Sequence, residues 1–252
     1  RASRAPEPIP APTPPPPAST EAPAPTPVET PPAKPERSPC LLGTGDPSRF
    51  DSLRVVLVHA VEPAHAPTAV NDSEALVFRQ LYETLVQVDC EGRVSPGLAR
   101  TWESKENGRV WEFTLRDSAF FWDGTEVSAE DVKVAWSENR SSAFVAGRPG
   151  PWSWIRTETV RILGPRRLAV SLSSAPPNAV AFFAHPLLAV SKHTADWAIG
   201  SGGYRVTPGS VSWSFGLEPN SHHPFAGRGR SPLEFSVRNG SDPRDVMGKA
   251  DL

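Results

Sequence analysis

The chain has 252 residues, 26 lysines and arginines against 28 aspartates and glutamates, and a formal net charge of −2. That balance gives no electrostatic case for nucleic acid or for an anionic membrane as partner. No apolar run approaches the roughly 20 residues that a spanning helix needs.

Fifteen of the 30 prolines fall in the first 39 residues, among Ala, Thr, Glu and Ser, with Ile9 and Val28 the only larger aliphatic side chains. Such a stretch cannot bury enough apolar surface to offset its own ordering, so residues 1–46 are expected to be an unfolded linker. Proline biases it toward polyproline II, a semi-rigid spacer reaching on the order of 100 Å. The first residue is Arg1, and the expectation is that a leader peptide precedes it. Cys40 and Cys90 are the two cysteines. Either they are unrelated thiols, or they form a disulfide that pins the spacer to the body in an oxidising compartment. Two isolated cysteines make no metal site.

The body opens with Leu53–Val61, a β-branched run that reads as a buried strand. A Pro-containing loop follows, and a helix is expected from Asn71–Ser73, with Glu74 as capping-box partner of Asn71. Phe78, Leu81, Tyr82 and Leu85 recur at helical spacing, and Asp89–Gly92 is a turn. From Arg109 the period changes: Trp111, Phe113 and Leu115 alternate with polar residues, as in a half-buried strand. Asp123-Gly124-Thr125 is a turn, and Ser128 is the expected N-cap of a helix carrying Val132, Ala135 and Trp136 inward. Strands are expected at Thr159–Leu163 and Arg167–Leu172, joined by Gly164-Pro165. The fold class is α/β (mixed α+β).

Five phrases together resemble the family 5 extracellular solute-binding proteins. They are Arg79-Gln-Leu-Tyr-Glu-Thr-Leu-Val86, Pro96-Gly-Leu-Ala-Arg-Thr-Trp102, the run from Trp111 to Val132 around Trp-Asp-Gly-Thr125, His185-Pro186, and Gly200-Ser-Gly-Gly-Tyr204. Gly200, Gly202 and Gly203 read as positions of positive φ or close approach. The resemblance implies a periplasmic-binding-protein-like fold of type II, a two-lobed clamshell. By that template residues 47–75 and 155–252 form the first lobe, residues 76–154 form an inserted small α+β domain, and the second lobe is missing.

The resemblance also nominates a half-cleft: His65, Asn71 and Glu74 after the first strand, Trp152 and Trp154 at the end of the insert, and His185 before the Gly-rich loop. Trp152 and His185 match positions where nickel-transporting relatives carry a tryptophan and an arginine. Packing roles are the alternatives, a helix cap for Glu74 and core for the tryptophans. His222-His223 lacks metal-ligand spacing and reads as a solvated loop. The sequence holds no Gly-x-Ser-x-Gly, no His-Glu-x-x-His and no phosphate-cradling loop, so no enzyme and no cofactor are expected. The implied role is capture of peptides or similar small solutes, in the periplasm or outside the cell, for the permease subunits of an ABC importer. The binder is expected to be monomeric and held near the membrane by its spacer. The alternative is a truncated lobe serving as a sensory or scaffold interaction module.

Overall fold

Leu53–Leu57 forms strand β1, shorter than the run of aliphatic residues because the chain bends at Val58. The computed structural model describes residues 51–240 apart from 146, 148–149, 176–177, 195, 225–229 and 239. The linker 1–46, Cys40 and the stretch from residue 241 lie outside the described residues. After β1 come a 3-10 turn at Pro63–His65 and helix α1, Asp72–Leu81. Asn71 caps α1, its side chain accepting from the Glu74 amide at 2.9 Å. The helix ends one residue before Tyr82, so Leu85 reaches the core from an extended segment rather than from the helical face.

Short strands β2 (Val86–Val88) and β3 (Val94–Pro96) pair across the Asp89–Gly92 turn. Then β4 (Ala99–Lys105) and β5 (Val110–Leu115) lead into helix α2 (Ala129–Val145). Ser128 and Asp131 cap α2 reciprocally: the Asp131 amide donates to Ser128 Oγ at 3.1 Å, and the Ser128 amide donates to Asp131 Oδ2 at 2.8 Å. Beyond it lie β6 (Ile155–Gly164), β7 (Arg167–Leu172), a short helix α3 (Ala179–Phe182), and the pair β8 (Ser191–Lys192) and β9 (Ile199–Gly200). The described part closes with β10 (Tyr204–Val206), β11 (Ser214–Pro219) and β12 (Leu233–Val237).

These elements build two hydrophobic clusters. One sheet has the order β4-β5-β7-β6, all antiparallel, and packs with α2 around Phe113, Leu115, Phe121, Trp136 and Phe183. The other has the order β1-β12-β11-β10, with β1 parallel to β12, and packs with α1 through Val77, Phe78 and Leu81 against Phe215, Leu217 and Phe235. The division differs from the expected insert at 76–154. Strands β6 and β7 hydrogen-bond into the sheet of β5, and residues from Leu85 to Val190 share one core. A hydrogen-bonded sheet cannot be cut between partners without baring its edges, and the insert's cluster spans the chain from about Glu83 to Val190, where those two residues bridge.

Candidate functional site

In open sheets with parallel strands, ligands sit in the crevice beyond the carboxyl ends of those strands. Here that place is the end of the β1–β12 pair, where Leu57 is registered on Val237. The loop leaving β1 returns to the N-terminus of α1, and one side chain organises it. Glu74 is 1% exposed. Its Oε1 accepts from the Glu62 amide at 3.1 Å and from His65 Nδ1 at 2.7 Å, and its Oε2 accepts from the Val70 amide at 2.6 Å. Glu74 therefore does not bond the Asn71 amide as a capping-box partner would. It bonds the loop instead, while Asn71 Nδ2 reaches the Ala60 carbonyl at 3.1 Å and the His59 amide donates to Ser73 Oγ at 3.2 Å. With Nδ1 donating to the carboxylate, half-exposed His65 keeps Nε2 as its free nitrogen. The structure thus brings His65, Asn71 and Glu74 together on a braced loop.

The other nominees lie in the insert. Trp152 is 3% exposed and meets Trp136 edge-on at 6.4 Å, so it is core and offers no face to a ligand. Trp154 is half-buried against the edge of Phe182 at 6.4 Å. His185 caps the 3-10 turn Pro186–Leu188, its Nδ1 accepting from the Leu187 amide at 3.2 Å. Burial holds its imidazole below the ordinary histidine range, favouring the neutral ring that this bond requires. A Cβ on Gly150 would lie 3.7 Å from that ring, so the turns carrying Trp152 and His185 adjoin. Trp152 belongs to the insert's cluster and Phe182, the partner of Trp154, packs against it, whereas Leu57 and Ala66, either side of the loop's start, belong to the other. Two surface hollows, one of about 600 Å³ beside Glu106 and Arg109 and one of about 450 Å³ beside Arg100 and Arg166, also lie on the insert's sheet rather than at the β1–β12 edge.

Three residues form a constellation that sequence reasoning missed. Arg116 clasps Glu83 through Nη1 at 3.0 Å and Nη2 at 2.7 Å and also donates to the Gly97 carbonyl. His223 Nε2 lies 3.5 Å from Glu83 Oε1. Burial raises the affinity of the Glu83 carboxyl for a proton, but hydrogen bonds from His223 and Arg116 outweigh it and hold the group below the ordinary carboxylate range. His223 is 9% exposed, not solvated, because the Asn220 turn tucks it inward: its amide donates to the Asn220 carbonyl at 3.1 Å. His222 sits against Gly124 instead. The glycine phrase is a matter of close approach alone. A Cβ on Gly200 or Gly202 would overlap the carbonyls that end α1, at Leu81 and Gln80, and neither residue has a positive φ. The remaining cysteine of the described body, Cys90, is disulfide-bonded.

The family model described as "Bacterial extracellular solute-binding proteins, family 5 Middle" matches residues 93–223, just over half of the chain. The chain belongs to the bacterial extracellular solute-binding proteins of family 5. Among family 5 relatives, the periplasmic murein peptide-binding protein MppA of Escherichia coli is 43% identical over 77 residues, covering 31% of this chain and 14% of MppA. The periplasmic oligopeptide-binding protein OppA of Salmonella typhimurium is 46% identical over 63 residues, covering 25% of this chain and 11% of OppA. The nickel-binding periplasmic protein of Escherichia coli is 30% identical over 133 residues, covering 47% and 25%. The solved murein tripeptide binding protein MppA of Escherichia coli superposes with a TM-score of 0.65 at 23% identity over 81% of this chain and 45% of that one. That likeness establishes a shared periplasmic-binding-protein fold. The chain spans less than half the length of the family 5 proteins it matches.

Proposed function

We propose that the chain supplies one wall of a solute-binding cleft, for capture of peptides or similar small solutes outside the cytoplasmic membrane and their delivery to the permease subunits of an ABC importer. The observation that carries this reading is the loop after β1. A buried carboxylate fixes it at the carboxyl end of a parallel strand pair, and it presents His65 and Asn71 there. Rigid placement of a few polar groups beside apolar surface is what a small-molecule site needs. Peptide relatives such as OppA and MppA favour peptides as the solute class. The disulfide at Cys90 fits an oxidising, extracytoplasmic setting. The Pro-rich spacer is read as the element that keeps a monomeric binder near the membrane.

Isothermal titration of the protein against a peptide library tests the reading. A saturable heat for a subset of peptides, weakened in His65→Ala, is the expected result. Silence across peptides and other small solutes would overturn it in favour of an interaction module.

A further inference from the structure

Trp213 is 67% exposed, while the other seven tryptophans are buried or half-buried. Its position is set by the sheet. Ser214 is registered on Ser236, and the Val237 amide donates to the Trp213 carbonyl at 2.9 Å. Since Val237 is registered on Leu57, the three residues form one row across the carboxyl edge of the β1–β12 pair. At about 4.8 Å per strand, Trp213 stands roughly 10 Å from the end of β1. Trp213 lies in the tight turn that enters β11, where Val211 bridges Ser214. Two residues further on, Phe215 stacks on Phe235 at 4.8 Å and touches Trp197 at 5.5 Å, which in turn meets Phe78 of α1. An aromatic row thus runs under α1 to the start of β11, and an exposed indole stands at the turn before it.

The hairpin that carries Trp213 is braced. The amides of Val211 and Ser214 each donate to the other residue's carbonyl at 3.1 Å, and Ser210 Oγ donates to the Thr207 carbonyl at 2.7 Å and accepts from the Gly216 amide at 3.4 Å. Val211, 39% exposed, widens the apolar surface beside it. With the backbone braced, only the two side-chain torsions of the indole are left to order when a partner stacks on it.

From these observations we infer that Trp213 is a specificity-determining wall of the binding edge, taking an apolar or aromatic side chain of a peptide whose polar backbone faces the His65–Asn71 loop. The inference rests on the peptide-binding reading above and adds a side-chain preference to it.

The test uses the full chain with ¹⁵N-labelled indoles, the Trp213 resonance being assigned with Trp213→Phe. Tri-phenylalanine and tri-alanine carry the same backbone and charges and serve as probes. Tri-phenylalanine is expected to shift the Trp213 resonance and to bind about fivefold tighter than tri-alanine, a preference that Trp213→Ala erases. If tri-phenylalanine binds while the Trp213 resonance stays still, or if the preference survives Trp213→Ala, this subsite is wrong and the peptide-binding reading stands. If neither probe nor a mixed peptide library moves any resonance, the peptide reading falls and the subsite with it. A Trp213 shift that tracks protein concentration without peptide overturns the inference in favour of contact between two copies of the chain.

Discussion

Arg116 grips Glu83 with two guanidinium nitrogens, 16% and 6% of their side chains being exposed, in the segment where the chain passes from α1 into the insert. A clasp so buried is costly to break from one side. Removing the arginine strands a carboxylate away from water, at a cost of about 3–5 kcal/mol. Arg116→Met is therefore expected to lower the urea midpoint strongly, and the pair Arg116→Met with Glu83→Leu to recover part of the loss. The same clasp makes a pH dependence. Glu83 holds its proton less tightly when folded than when unfolded, so its stabilisation is present above the unfolded value, near pH ~4.3, and fades as pH falls below it. Urea titrations below that pH should show a steep loss in the native protein and a flatter one in Glu83→Gln.

Glu74 should behave as a loop organiser rather than as a helix cap. Glu74→Ala leaves the Glu62 and Val70 amides without their acceptor and is expected to cost about 2–4 kcal/mol. Glu74→Gln keeps one acceptor oxygen and should cost roughly half as much. Hydrogen exchange at the Val70 amide reads the effect locally. Unchanged protection there in Glu74→Ala would refute the assignment.

The glycine phrase predicts a steric effect. Gly200→Ala and Gly202→Ala place a methyl group on the carbonyls that close α1, and backbone must move, at about 1–3 kcal/mol each. Gly164→Ala has nothing within 4 Å of the added carbon and should stay within about 0.5 kcal/mol of the parent protein. Equal thermal shifts in the three variants would contradict the packing described.

Two core tryptophans separate packing from hydrogen bonding. Trp136 Nε1 donates to the Leu188 carbonyl at 2.9 Å, whereas Trp152 Nε1 is buried without a hydrogen-bond partner. Both substitutions by phenylalanine trim the ring, but only Trp136→Phe bares a buried carbonyl. Trp136→Phe should be the more destabilising by about 1 kcal/mol in denaturant titration.

Local signals were legible in the sequence. Asn71 and Ser128 announced helix starts because a cap is a bond between residues three apart. The alternation at Trp111–Leu115 announced β5, because side-chain period survives without knowledge of the partner strand. Pairings between distant segments left no such mark. Nothing local in Ile155–Leu172 shows that β7 lies beside β5. His223 looked like loop because its partner, Glu83, is 140 positions away in the chain. Of the site, the His65–Asn71–Glu74 loop lies within ten residues and could be grouped by eye. Trp213 could not, since only the register of β11 on β12 carries it to that edge.

The Val190 amide donates to the Glu83 carbonyl at 2.8 Å, so the polypeptide enters and leaves the insert through one doorway. A segment whose two ends meet at one bridge is a cassette. It can lengthen, shrink or exchange its surface loops without dragging on β1 and β12, and recombination at that threshold would swap one such cassette for another while those strands stayed in place.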